Sequence, residues 1–481
     1  MKKENSIIVG REAERRELAA AVASRQSSLV VVYGRRRIGK TFLVRQTFGD
    51  SFAFQCTGLA RENRARQLDN FRDSIRESGF TDCPRLDDWF AAFNALRDWL
   101  KTRPAGKKIV FLDEMPWMDT PKSHFVSALE GFWNGWASGR NDIVLIVCGS
   151  ATSWLVRKVF HDRGGLHDRV THSIRLLPFS LAECKDFADE AGLAWTQRQM
   201  VEFYMAAGGV PWYWSLIQPG WSAAQAIESL CFEERAPLRG EFDRLFASLF
   251  ADGTECRRIV EVLAERRSGM LRSELLTRLG RNSNGAFSSR LDDLEQCGFI
   301  RKIPGFGNRS KDSLYQLIDN FSLFHLRFMR DSASWLRGEW LQDAGTARRA
   351  AWEGLAFEIV CLHHVEQIRR ALGISGVQTR AYSWTSRGES GRSGAQIDLL
   401  LDRRDGIVNL CEMKFSDRVY TIGKSEAEAL ERRRNAFLLA TGIRKAVHVV
   451  FVTPVGIVRN KYAGLVQGEV TLADLFAASP R

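Results

Sequence analysis

The chain has 481 residues, of which 45% are apolar and 26% charged, and it carries a formal charge of +12 with a pI near 9.4. That length excludes a single ordinary core and suggests about three domains. The basic excess favours an acidic partner, nucleic acid first and an anionic membrane surface second, while no apolar run approaches the roughly 20 residues of a membrane span.

The start, Lys2-Lys3-Glu4, is followed by too short an apolar stretch for a signal peptide. The nine cysteines are scattered singly, with no C-x-x-C pair of a zinc or redox site, and read as small apolar residues of a reducing compartment. The expected location is the cytoplasm, with no membrane partner.

In chain order, the first informative element is an apolar strand, Leu29 to Tyr33. It runs into Gly34-Arg35-Arg36-Arg37-Ile38-Gly39-Lys40-Thr41 and then a helical stretch, Phe42 to Phe48. This is G-x-x-x-x-G-K-T between strand and helix, the setting a phosphate-binding loop requires. Gly34 and Gly39 let backbone N–H groups face phosphate oxygens, and the helix beginning near Lys40 adds its positive end. Lys40 is expected on the β- and γ-phosphates and the Thr41 hydroxyl on Mg²⁺, so ATP and Mg²⁺ are the expected ligands. The three arginines inside the loop could charge the site, contact nucleic acid or face solvent; none is assigned a catalytic role.

Helical stretches at Leu86 to Leu100 and Phe125 to Ala137 flank a second apolar strand, Ile109 to Leu112, that ends in Asp113-Glu114. In this Walker B form the first carboxylate holds Mg²⁺ and the second polarises the attacking water. A third strand, Ile143 to Cys148, runs into Gly149-Ser150, and Ser150 is the expected contact of a sensor strand. Continuous apolar strands separated by helices indicate a parallel sheet covered on both faces, with ligands at the carboxyl ends of the strands.

These elements, with Val9-Gly10-Arg11-Glu12, Pro178-Phe179-Ser180-Leu181 and Gly208-Gly209-Val210-Pro211-Trp212-Tyr213, resemble the archaeal-type ATPases of the STAND/AAA+ group over roughly residues 6–250. The resemblance implies that Arg11 and Pro211 lie near the adenine. It also implies that Arg169, in Leu166-His167-Asp168-Arg169, senses the γ-phosphate; taken alone, Arg169 reads as a solvated arginine.

Residues 181–250 read as helices, a lid closing on the nucleotide, with Trp212, Trp214 and Trp221 near Pro211 and Pro219. Three amphipathic helices follow at roughly 255–266, 271–279 and 284–297, then strands at Phe299 to Lys302 and Ser313 to Leu317, the order of a winged helix-turn-helix. Its turn, Gly305-Phe306-Gly307-Asn308, is flanked by Arg301, Lys302, Arg309 and Lys311 and would form a basic tip. Asn282, Asn284, Ser288, Ser289 and Arg290 could read base edges, whereas Asp292, Asp293 and Glu295 would repel phosphate. An internal relay is the alternative.

The last segment opens with a helix from Trp352 to about Leu372. A hairpin follows: Gln396 to Leu401, a turn at Asp402 to Gly406, and Ile407 to Phe415. A turn centred on residue 404 sets Asp398 opposite Leu410, so that Asp398, Glu412 and Lys414 share one face. Two carboxylates and a lysine so placed suit Mg²⁺ or Mn²⁺ and metal-activated water. With the Lys424 to Ala440 helix and the Val447 to Val452 strand, residues 350–455 resemble the PD-(D/E)XK nucleases. The resemblance makes Asp398 and Glu412 metal ligands, Lys414 the catalytic lysine and Glu358 the helix carboxylate. Gln396 stands where many relatives carry glutamate.

The expected architecture is therefore α/β. A P-loop NTPase parallel sheet (1–180) is followed by a helical lid (181–250), a winged helix-turn-helix (251–335) and a restriction-endonuclease-like domain (345–481). The expected function is an ATP-binding and ATP-hydrolysing switch controlling a metal-dependent nuclease directed at nucleic acid, DNA favoured. Catalytic roles fall to Glu114, Lys414 and Glu358, and a homo-oligomer stays open because an arginine supplied between subunits would require one. The alternatives are a nucleotide-regulated DNA-binding or scaffold ATPase whose last domain does not cut, and an ATPase acting on a protein partner.

Overall fold

A computed structural model describes residues 8–150, 152–161, 166, 168–250, 252–266, 268–304, 306, 313–330, 338–386 and 395–478. The chain divides into two compact units, one running to Leu177 and including 248–251, the other formed by Pro178–Ala247 and the residues from Asp252 onward.

The first unit is organised by five parallel strands, β1 (Ser28–Tyr33), β2 (Phe52–Thr57), β3 (Lys108–Asp113), β4 (Ile143–Gly149) and β5 (His172–Arg175), in the order β2-β3-β4-β1-β5. Side chains alternate across a strand, so a continuous apolar run feeds two cores at once. Leu29 and Val31, Val110 and Leu112, and Leu145 and Val147 join one cluster with Phe71, Trp89, Phe93 and Phe125, carried by helices Arg64–Glu77, Trp89–Thr102 and Phe125–Gly135. Val30 and Val32, Ile109 and Phe111, and Val144 and Ile146 join the other with Leu18, Leu43 and Val44 of helices Glu12–Ala23 and Lys40–Phe48.

Two helix ends differ from expectation. The helix expected from Leu86 begins at Trp89, because the Asp88 carboxylate accepts the Ala91 N–H at 2.8 Å and fixes the start. The helix expected to reach Ala137 ends at Gly135, where Trp136 leaves helical geometry before a 3₁₀ turn at Ala137–Gly139.

Helices fill 181–249 as expected, residues 181–247 of them in the second unit. The two glycine and proline motifs of this stretch explain each other. A Cβ on Gly209 would lie 1.9 Å from the Phe179 carbonyl oxygen, and the Phe179 N–H donates to the Gly209 oxygen at 2.6 Å. Only glycine allows the two backbones to approach so closely.

Helices Gly253–Ala264, Arg272–Leu279 and Gly285–Gln296 stand beside a small antiparallel sheet of β6 (Met270–Leu271), β7 (Ile300–Ile303) and β8 (Leu314–Leu317), ordered β6-β8-β7. Strand β6 was not anticipated. Of the expected basic tip, Gly305, Gly307, Asn308, Arg309 and Lys311 lie outside the described residues.

The helix expected from Trp352 to Leu372 is two helices, Ala347–His363 and Val365–Ala371, starting a turn and a half earlier under a Thr346 cap and broken at His364. The break has a cause. The buried His364 ring accepts the Leu181 N–H at Nε2 (2.9 Å) and meets the Val360 oxygen at Nδ1 (2.7 Å), pinning the residue out of the helical line. Beyond it come β9 (Thr379–Ser386), β10 (Ala395–Arg403), β11 (Ile407–Met413), helix Lys424–Thr441, β12 (Ala446–Val452) and β13 (Val466–Val470). Their sheet runs β13-β12-β11-β10-β9, antiparallel from β9 to β11 and parallel from β11 to β13.

All nine cysteines are free and buried. No helix among the described residues is long and apolar enough to cross a membrane.

Candidate functional site

The loop after β1 owes its path to two glycines. Gly34 has φ +146°, and a Cβ there would meet the Leu176 oxygen at 2.4 Å and Ile38 Cδ1 at 2.5 Å; Gly39, at φ +88°, is the residue before helix Lys40–Phe48. Leu176 is fixed in turn by its N–H on the Tyr33 oxygen (2.8 Å). Arg11, itself left-handed at φ 62°, donates to the Leu177 oxygen (2.6 Å) and pairs with Glu14. Arg11 is thus a brace for the segment that walls the loop. Of the loop arginines, Arg35 is buried, Arg36 exposed and Arg37 half-buried with φ 69°.

Lys40 is buried, and its Nζ donates to the carbonyls of Gly34 (3.0 Å) and Arg35 (2.9 Å), curled over the loop it belongs to. The Thr41 hydroxyl donates to both oxygens of Asp113, at 3.0 and 3.1 Å, across 72 residues of sequence. Asp113 sits at the tip of β3 with its pKa raised, first by burial and then by the neighbouring Glu114 charge; hydrogen bonds from Thr41 and Cys148 oppose the shift. Glu114 turns away from the strand at φ 45°. Its carboxylate accepts the Ser150 hydroxyl at 2.8 Å and the Ser150 N–H at 3.1 Å. Gly34, Gly39, Lys40, Thr41, Asp113, Glu114 and Ser150 therefore cluster at the carboxyl ends of β1, β3 and β4.

Two further expected members are described by their own surroundings. Arg169 is exposed, and among the described residues its side chain makes no hydrogen bond or ion pair. Pro211 opens a short helix, Pro211–Trp214, in the second unit.

The C-terminal hairpin has a different register from the expected one. Leu400 pairs with Leu410 and Leu399 with Cys411, so the turn centres on residue 405 rather than 404; Asp398 is not opposite Leu410 and lies where the pairing of β10 with β9 is irregular, between Ile397 and Leu400. The gap of one residue arises because Asp402 still pairs with Val408, leaving a five-residue connection.

The partners at this pair are mostly cations. Glu412 is buried and meets Lys414 Nζ at 2.8 Å through Oε1 and Arg433 at 3.0 Å through Oε2. Asp398 accepts from the Gln396 amide at 2.5 Å. It also opposes the fall that burial imposes on Arg301, whose pKa is lowered to about 10. Glu358 is buried on helix Ala347–His363, the helix that sets Cys361 beside Cys411. Leu410 instead packs with Phe437 of helix Lys424–Thr441. Among the described residues no group of three or more His, Cys, Asp or Glu side chains is arranged to hold a metal ion.

Three of the five side chains expected to read base edges have internal partners. Asn284 caps its helix through the Phe287 N–H (2.8 Å), Ser288 accepts from Arg272 (3.0 Å), and Arg290 pairs with Asp252 (2.6 Å). Phe306, at the expected tip, packs its ring against Tyr382 of β9 (5.4 Å) and Phe437 of helix Lys424–Thr441 (4.9 Å). Arg433 was missed in the sequence, as was the packing of Phe306, itself placed in the turn; a basic residue seven positions after Glu426 on a helix was the one available signal for the former.

Residues 8–217 match a family described as an ATPase domain predominantly from Archaea. An uncharacterized protein of Methanocaldococcus jannaschii is 25% identical over 420 residues, covering 85% of this chain and 88% of that protein. The Walker-type ATPase of Pyrococcus abyssi superposes with a TM-score of 0.51 at 17% identity, over 67% of this chain and 96% of the other. The ORC2 protein of Aeropyrum pernix gives a TM-score of 0.40 at 15% identity, over 67% and 93%. Over residues 8–217 the chain carries an archaeal-type ATPase domain, built on a parallel α/β sheet of the P-loop kind.

Proposed function

We propose that the protein is an ATP-binding and ATP-hydrolysing switch whose nucleotide state governs a DNA-directed C-terminal domain. The observation that carries the first part is the Thr41–Asp113 hydrogen bond, which joins two distant motifs beside Lys40. Both are oxygen donors with neutral partners, a set that fits Mg²⁺. Bound there by Thr41 and Asp113, Mg²⁺ would neutralise phosphate charge.

Lys40 would exchange the carbonyls of Gly34 and Arg35 for β- and γ-phosphate oxygens, a charge-assisted contact in place of neutral ones. Glu114 would orient the water that attacks the γ-phosphorus, releasing ADP and phosphate, and Ser150 would hold Glu114 until the nucleotide arrives. Domains at 1–180, 181–250, 251–335 and 345–481, the third a winged helix-turn-helix, complete this reading. So do a cytoplasmic location and a homo-oligomer.

For the last domain the first reading is a PD-(D/E)XK nuclease using Asp398, Glu412 and Lys414. As they stand these side chains do not fit a metal ion, because both Glu412 oxygens face cations. That observation favours a second reading, in which the domain binds nucleic acid without cutting. Labelled duplex and single-stranded DNA, incubated with Mg²⁺ or Mn²⁺ with and without ATP, separates the two. Cutting that is lost in Lys414→Ala and altered in Lys40→Ala supports the nuclease; ATP turnover with no cutting supports the second reading. Absence of ATP turnover would overturn the proposal.

A further inference from the structure

Within the second unit, the hairpin of β7 and β8 touches the last sheet at two places. The first is aromatic. Phe306, in the connection between the two strands, stands edge-on to Tyr382 of β9 and to Phe437 of helix Lys424–Thr441, at 5.4 and 4.9 Å. Phe437 stands edge-on to Trp384 in turn (5.5 Å), and Phe306 packs onto the buried cluster that these three rings share with Ile397 and Leu400. Edge-to-face rings attract one another beyond the apolar area they bury.

The second contact is electrostatic. Arg301 and Gln316 are partners across β7 and β8, so their side chains share one face of the hairpin. The Arg301 Nε–H donates to the Gln316 side-chain oxygen at 2.7 Å, and the Asp398 charge of β10 acts on the guanidinium. Its Nη2 is nonetheless buried with no hydrogen-bond acceptor among the described residues. Burial pulls the Arg301 pKa down to about 10 in spite of Asp398. A charged donor left without an acceptor is costly, and water or a phosphate oxygen would remove that cost. The ring therefore favours the contact and the cation opposes it.

We propose that Phe306 is a latch: seated against the last sheet it keeps Arg301 turned inward, and a nucleic-acid duplex competes with the sheet for that face of the hairpin. The inference rests on nucleic acid being the partner, as proposed above. A chain latched about nine-tenths of the time binds about ten-fold more weakly than an open one.

The test is binding of a fluorescein-labelled DNA duplex to the full-length chain, read by anisotropy without nucleotide or divalent cation, so that neither ATP turnover nor cutting intervenes. Phe306→Ala binds about ten-fold tighter than wild type, a gain that misfolding does not produce, while Phe306→Tyr, which keeps the ring, binds as wild type. Tyr382→Ala removes the latch from the other side: it gives the same gain, and the double variant adds nothing to it. Arg301→Gln placed on Phe306→Ala takes the gain away. If wild type binds the duplex and Phe306→Ala binds no tighter, the latch is wrong and the nucleic-acid reading stands. If no variant binds the duplex, the latch and that reading fail together.

Discussion

Two sets of two acidic residues, Asp113 with Glu114 and Asp398 with Glu412, lie on or beside strands in this protein, and they are held in different ways. Asp113 and Glu114 are met by neutral donors: the Thr41 hydroxyl, and the hydroxyl and N–H of Ser150. Glu412 is met by Lys414 and Arg433, and Asp398 by an amide with the Arg301 charge nearby. Neutral donors hold a carboxylate in place while leaving its charge for an incoming cation. Cationic partners hold it and cancel it. The first pair thus keeps its charge uncancelled, and the charge of Glu412 in the second is answered within the protein.

The sharpest way to break this contrast is at the lysines. Lys40→Ala should lower ATP turnover about a thousand-fold, read as phosphate release; wild-type turnover would remove the nucleotide site. Glu114→Gln should keep ATP binding while slowing hydrolysis about a hundred-fold, as befits a residue that acts on water. Under the nuclease reading, Lys414→Ala should abolish metal-dependent DNA cutting and leave ATP binding unchanged, so cutting that persists would show that the hairpin is not the site.

Two smaller effects sharpen the contrast by acting on the unit that holds the second pair. Gly209→Ala forces a Cβ onto the Phe179 carbonyl and should cost about 4 kcal/mol, seen as a lowered denaturation midpoint. His364, with its pKa lowered to about 4 mainly by burial, must be neutral at Nε2 to accept the Leu181 N–H. A histidine whose folded pKa lies below the unfolded value stabilises fully above about pH 6.5 and loses that contribution as pH falls toward 4. Wild type should therefore lose up to about 3 kcal/mol over that window, with His364→Gln showing a flatter profile in denaturant titrations at pH 7 and 5.

The nucleotide site was legible because its parts are contiguous or end apolar strands. Gly34 to Thr41 is one run, and Asp113 and Ser150 each follow a strand whose parallel pairing brings the tips together. What was not legible depends on distance or on single contacts. Nothing in the periodicity of 347–371 marks His364, because the break comes from Leu181, 183 residues away. The hairpin register missed by one residue because Asp402, read as turn, still pairs with Val408. The ion pair at Glu412 escaped notice because Arg433 lies 21 positions on, and Arg432 and Arg434 beside it look the same in sequence. Asn284 and Arg290 looked able to read bases, yet the first is a helix cap and the second an ion-pair partner.

The nine buried thiols have a practical consequence. Burial pushes Cys56 and Cys411 up to about 12, and Cys148 and Cys361 well above the ordinary value, so each is sheltered and protonated in the folded chain. Alkylation under native conditions then proceeds only through opening. Mass spectrometry of Cys148, beside Asp113, and of Cys411, beside Glu412, would time the loosening of the two sheets separately in a single unmodified sample.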